Sequence, residues 1–248
     1  MIAPIHYQPT AGLLRDRVIL VTGASRGIGR VAALTFADFG ATVVLHGRNP
    51  GALESVYDEI LARGGPQPAA IPLDFDKAST QDFDGMAGVI ESEFGRLDGI
   101  LHNASHVLGL SPLEQQTAEE WQSTLRINLV APFALTQACA RLLQAAPDAS
   151  VVLTLETHGH APAAFWGGYA VSKAALEAFL KIQSEEWANR PQLRINAIIP
   201  GPVASPSRAK THPGEVSGSQ RQPETLMPAY LFLMGPDSRD TRGTILTA

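Results

Sequence analysis

The sequence holds one cysteine, few charges and no long apolar run. Of its 248 residues 17% are charged, and the formal net charge is −5. A nucleic-acid surface needs concentrated Lys and Arg, and no basic run here is dense enough to reverse the acidic balance. Cys139, without a second thiol, allows neither an internal disulfide nor a cysteine-based metal site. It falls in an apolar helical pattern and reads as core packing. The opening MIAPIHYQPT lacks the basic and apolar regions of a secretory signal, and no stretch approaches the roughly 18 apolar residues of a membrane span. The expectation is a soluble, cytoplasmic chain with neither nucleic acid nor membrane as partner.

Hydrophobic residues make up 45% of the chain, enough for a substantial core. Short apolar, β-branched runs at 18–21, 42–45, 69–73, 99–102, 150–155 and 194–199, with a weaker one at 244–246, alternate with helical patterns. The helical patterns lie at 29–39, 51–63, 82–94, 118–144, 169–187 and 223–233. The first six runs are nearly continuous in apolar character, as in strands covered on both faces. Such alternation predicts an α/β, doubly wound Rossmann fold: a single seven-stranded parallel sheet of order 3-2-1-4-5-6-7 with helices on both faces. With no repeat and no linker, 1–248 reads as a single domain. Residues 1–15 read as a surface-lying or frayed tail. Residues 201–221, rich in breakers, read as a mobile substrate loop at the carboxyl ends of the strands.

The first predicted strand runs into Thr22-Gly23-Ala24-Ser25-Arg26-Gly27-Ile28-Gly29, and a helical pattern follows at once. A strand, a glycine turn and a helix N-terminus make an anion site, because free backbone N–H groups and the positive helix end face the phosphates. Gly23 permits the tight turn, Gly27 the approach of a pyrophosphate and Gly29 close helix–strand packing. The same residues match G-x-S-x-G, the nucleophile elbow of hydrolases, but that elbow normally follows several strands rather than the first. A purely structural glycine turn is the remaining alternative. After the second strand, where an NAD-preferring fold carries Asp or Glu, this chain has Gly47 and then Arg48. With no carboxylate to repel a 2′-phosphate, Arg26 and Arg48 are placed to clamp one, which favours NADP(H) over NAD(H). Solvated surface charge is the plainer reading of both arginines.

Over nearly its whole length the sequence resembles the short-chain dehydrogenase/reductase family. Within it the chain is most similar to the bacterial YciK-like branch, on His6-Tyr7-Gln8-Pro9 and the segment from Met227 to Gly235. The resemblance places the glycine motif at 22–29, the adenine-contacting acid at Asp74 beside Phe75, and an altered NNAG segment at His102-Asn103-Ala104-Ser105. It places the helix Asn at Asn128, the Y-x-x-x-K pair at Tyr169 and Lys173, and the cofactor-side PG at Pro200-Gly201, with Val203 beyond. In such a site the tyrosine exchanges a proton with the substrate oxygen, the lysine holds the nicotinamide ribose, and the Asn supports a water chain to the lysine. The pair is sound chemistry by itself. Residues four apart share a helix face, and an ammonium beside a phenol favours its phenolate.

One position departs from the pattern. Thirteen residues before Tyr169, where the family has a catalytic serine, stands Glu156. An ionised Glu cannot donate a hydrogen bond, and losing one such donor costs roughly 3 to 4 kcal/mol of transition-state stabilisation. It also opposes a phenolate, by roughly 3 kcal/mol at ~5 Å in an effective dielectric of ~20. Either Glu156 is protonated and donates, or Thr157 supplies the hydroxyl, or the site is weakened and selects a polar or cationic substrate or no longer catalyses reduction. Two functions follow: an NADP(H)-dependent carbonyl reductase or alcohol dehydrogenase acting on a small molecule, and a non-catalytic NADP-binding sensor or scaffold. His158 and His160 lack a third ligand and read as solvated loop residues, with no metal; His102 and His106 read as ordinary loop polarity. The resemblance implies a homodimer or homotetramer through the helices at 118–144 and 169–187, which read as too apolar to be half solvated. The arginine clamp is tested by direct binding: Arg48→Ala should weaken NADP roughly tenfold while leaving NAD unchanged, and a wild-type preference for NAD unaffected by the substitution excludes the clamp.

Overall fold

The computed structural model describes residues 6–216 and 218–248. Its strands are β1 (Val18–Thr22), β2 (Thr42–Gly47), β3 (Ala69–Pro72), β4 (Gly99–His102), β5 (Ala149–Thr154), β6 (Leu193–Ile199) and β7 (Ile245–Thr247). They form one sheet in the order β3-β2-β1-β4-β5-β6-β7, every pair parallel. The helices are α1 (Gly27–Asp38), α2 (Pro50–Ala62), α3 (Thr80–Phe94), α4 (Ala118–Leu125), α5 (Ala131–Ala138), α6 (Ala140–Ala145), α7 (Thr157–His160), α8 (Gly167–Glu186), α9 (Pro206–Thr211) and α10 (Met227–Met234). Residues of β1, β4, β5 and β6 are buried throughout, because apolar clusters cover both faces. One cluster joins the sheet to α1, α2 and α10; the other joins it to α3, α5, α6 and α8. Cys139 is fully buried in the second cluster, and burial pushes its thiol up to about 12.

One sequence expectation is corrected and two are refined. The helix expected over 118–144 is interrupted: Arg126–Val130 is a π turn between α4 and α5. Pro132 has no N–H for the Asn128 carbonyl, and the Ala131 N–H reaches back five residues to the Arg126 carbonyl instead. The tail expected over 1–15 to be surface-lying or frayed is surface-lying over its described part, and it is tied down at two points. Leu14 is fully buried and its N–H donates to the Phe39 carbonyl at 3.0 Å, while Tyr7 Oη donates to Asp237 Oδ2 at 2.6 Å. Residues 1–5 lie outside the described residues. The segment 201–221, in which Ser217 also lies outside them, is partly regular. Ser205 accepts from the Arg208 N–H at 3.1 Å and Pro206 opens α9, a helix start too short to show periodicity. Arg221 ties the far end of the segment back to the carbonyls of Pro200 and Ala248, at 2.8 and 3.1 Å.

The amino-terminal edge of the sheet is closed by a buried charge cluster. Arg17 donates to Asp148 Oδ2 at 2.6 Å and to the carbonyls of Asp98 and Asp148, both at 3.0 Å. Arg194 donates to Asp148 from β6 and also to Ser238 and the Gly235 carbonyl, at 3.0 and 2.7 Å. Burial alone would raise the Asp148 carboxyl, but Arg194 and Arg17 outweigh it and hold it below the usual range. Its stabilising contribution is therefore present above the unfolded value near pH ~4 and is lost as pH falls through the depressed native value. Asp148→Asn should cost about 3–5 kcal/mol, because two buried guanidinium groups lose their counter-charge. Denaturant unfolding should show that loss, with a flatter acid limb than the wild type.

Candidate active site

The carboxyl ends of the strands surround one cleft of about 670 Å³. At one end lies the turn between β1 and α1. Gly23 has φ +68°, and a Cβ there would lie 2.9 Å from the Ala104 backbone; Gly27 has φ +56°. A Cβ at Gly29 would stand 2.3 Å from the Gly23 carbonyl oxygen, so this glycine lets the helix start fold against its own turn. No side chain caps α1 and its first turn holds no acid, so its leading N–H groups remain for a ligand. Arg26 and Arg48 are exposed, line the cleft, and make no side-chain hydrogen bond or ion pair among the described residues. A Cβ at Gly47 would meet Leu53 at 3.1 Å, so a carboxylate has little room at the position where it would repel a 2′-phosphate.

Of the residues singled out from sequence, Gly23, Ser25, Arg26, Gly27, Ile28, Arg48, Asp74 and Phe75 line this cleft. So do Asn103, Ala104, Glu156, Tyr169, Lys173, Pro200, Gly201 and Val203. Thr22, Gly29, Asn128 and Thr157 do not. Thr22 works from behind: its Oγ1 accepts the N–H groups of Asn103 and Ala104 at 2.9 and 3.0 Å. Thr157 is exposed at the start of α7 and does not line the cleft.

Tyr169 and Lys173 sit one turn apart on α8, with Lys173 Nζ 5.8 Å from the tyrosine ring centre. Lys173 is 2% exposed and donates to the Thr154 carbonyl at 2.8 Å. Burial pulls its amine down to about 8, against the opposing pull of Glu156. Burial pushes the Tyr169 phenol up, Glu156 pushes it further, and a hydrogen bond from Ser105 draws it back. An ionised Glu156 thus opposes the phenolate. Glu156 Oε1 lies 3.4 Å from His158 Nδ1, and the His158 ring stacks on Trp166 at 3.9 Å. His158 is therefore half-buried and stacked rather than freely solvated, whereas His160 stays exposed beside Glu177 at 3.1 Å. His102 likewise is no loop residue. It ends β4, fully buried against Thr136 Oγ1 at 2.9 Å, and burial pulls its imidazole down to about 3. Among the described residues no three His, Cys, Asp or Glu side chains form a metal cluster, and no helix is long and apolar enough to cross a membrane.

Asn128 sits in the π turn, 1% exposed, and acts as a buried clamp. Its Oδ1 accepts the His106 N–H at 2.7 Å, and its Nδ2 donates to the His106 carbonyl at 2.9 Å and to Ser172 Oγ at 3.0 Å. Ser172 in turn donates to the Tyr169 carbonyl at 2.7 Å. Sequence reasoning missed Ser172, Trp166 and Arg208, which carry no motif of their own, and gave Ser105 no role beyond the altered end of the NNAG segment; Ser172 was detectable only as a small polar residue between Tyr169 and Lys173. Asn128→Ala leaves the His106 backbone pair unmet, at roughly 1–3 kcal/mol per group. Hydrogen exchange at His106 should quicken accordingly.

A profile of the short chain dehydrogenase family matches residues 17–215. The chain is 41% identical over 244 residues to YciK, an oxidoreductase of Escherichia coli (strain K12), covering 98% of this chain and 96% of that one. It is similar to a short chain dehydrogenase from Shigella flexneri 2a strain 301 complexed with NADP, at TM-score 0.93 and 40% identity, covering 96% of this chain and 99% of that one. A short chain dehydrogenase from Escherichia coli CFT073 complexed with NADPH matches with the same TM-score, identity and coverage. The Rossmann sheet, the glycine turn and the Tyr169/Lys173 pair agree with these matches: the chain belongs to the short chain dehydrogenase family of oxidoreductases.

Proposed function

We propose that this protein is an NADP(H)-dependent dehydrogenase/reductase that interconverts a small carbonyl compound and its alcohol. The observation that carries this reading is the continuity of one cleft from the uncapped start of α1, with Arg26 and Arg48 free beside it, to Tyr169 and Lys173. The NADP and NADPH bound by the two solved relatives support the choice of cofactor. The phosphate end fits the group: N–H donors without a side-chain cap, two guanidinium groups without a side-chain partner among the described residues, and little room for an acid at Gly47. Asp74 and Phe75 then hold the adenine side, and Asn103, Ala104, Pro200, Gly201 and Val203 flank the rest.

When bound, the nicotinamide supplies or accepts the hydride at the substrate carbon. Tyr169 exchanges the proton with the substrate oxygen. Lys173, fixed by the Thr154 carbonyl, holds a positive charge beside the phenol and offsets part of the cost of its ionisation. Asn128 positions the strand-end loop through both polar groups of His106. The chain works as one domain over 1–248, with 201–221 as its substrate loop. It is cytoplasmic, and it pairs as a homodimer or homotetramer through the exposed Phe133 of α5 and Ile182 of α8.

Glu156 favours a second reading, an NADP-binding sensor or scaffold with weakened chemistry, because no hydroxyl stands at its position. Titration with NADPH and turnover of a broad carbonyl panel separate the two. Turnover should fall roughly 10²- to 10⁴-fold in Tyr169→Phe, with NADPH binding retained. A wild type that binds NADPH tightly yet turns over nothing establishes the sensor or scaffold instead.

A further inference from the structure

We infer that the Glu156 carboxylate makes the cleft discriminate between the two oxidation states of its cofactor, tightening NADP+ relative to NADPH. This rests on the NADP(H) reading above. The two forms differ at the nicotinamide by one positive charge, so any charge near that ring separates their affinities. The ring must lie beside Tyr169, because the substrate carbon that exchanges hydride carries the oxygen that meets the tyrosine hydroxyl.

Two carboxylates line the cleft among the described residues. Asp74 follows β3; Glu156, two residues beyond the Thr154 carbonyl that holds Lys173, is the one at the Tyr169 end. Its field is already felt there, since it raises the proton affinity of both Tyr169 and Lys173. A group that favours positive charge on an amine favours it equally on a pyridinium ring. Two cations face the carboxylate, Lys173 and Arg208, each already held elsewhere, and an imidazole stands beside it. Lys173 is bonded to Thr154, Arg208 is paired with Glu215, and His158 is stacked on Trp166 with its Nδ1 3.4 Å from Glu156. With the Glu156 side chain only 24% exposed, water screens it incompletely. A unit charge at ~7 Å in an effective dielectric of ~40 corresponds to roughly five- to tenfold in affinity.

By linkage the same factor shifts the bound couple: tighter NADP+ makes bound NADPH the stronger reductant. Carbonyl reduction on the protein is promoted, while oxidised cofactor leaves more slowly.

The test is binding alone. Dissociation constants for NADP+ and NADPH are measured by fluorescence titration of wild type, Glu156→Gln and Glu156→Ser, with 2′-phospho-ADP-ribose, which lacks the ring, as control. The ratio of the NADP+ constant to the NADPH constant should rise roughly five- to tenfold in both variants, with the control unchanged. An unchanged ratio overturns the inference. So does a parallel loss of control and NADP+ affinity, which would place the effect outside the ring site. A wild type that binds neither form overturns the NADP(H) reading itself.

Discussion

The hydroxyl of Thr22, at the last position of β1, accepts the backbone N–H groups of both Asn103 and Ala104 at the end of β4. That joint locks the phosphate turn to the loop beyond β4. From there a chain of hydrogen bonds continues through His106, Asn128 and Ser172 to the Tyr169 carbonyl on α8. The two ends of the cleft are therefore one scaffold. Moving the glycine turn means moving the helix that carries Tyr169 and Lys173. Gly23 belongs to the same joint, because any side chain there would press on Ala104.

The sheet separates stability from chemistry by its direction. A parallel sheet puts every strand start on one edge and every strand end on the other. At the starts, Arg17, Asp148 and Arg194 pair their charges while buried, with only Arg17 Nε of the cluster left without a partner among the described residues. At the ends, the charges of Arg26, Arg48 and Glu156 are left without full compensation, which is what a ligand site requires.

The strands were legible because burial on both faces leaves an unbroken apolar run that needs no partner information to read. The glycine turn and the Tyr169/Lys173 pair were legible because their spacing is itself the chemistry. Other features depend on contacts distant in sequence. Nothing near Leu14 announces that Phe39 will cap its N–H, and nothing in the 157–160 loop announces that Trp166 will stack on His158. The π turn was hidden for a different reason: Pro132 marked a break, but apolar periodicity on either side of it continued. Thr157 looked interchangeable with its neighbour in sequence, yet α7 turns it outward.

That π turn carries one residue more than a regular helical turn would. Removing a single residue from Arg126–Val130 would restore regular pitch and rotate everything beyond it by about 100° around the helix axis. Leu135 would swing out of the core and Phe133, now facing outward, would swing toward it. The segment can thus exchange residues freely at its exposed positions, but its length is fixed: the phase of α5 is set by counting, not by composition.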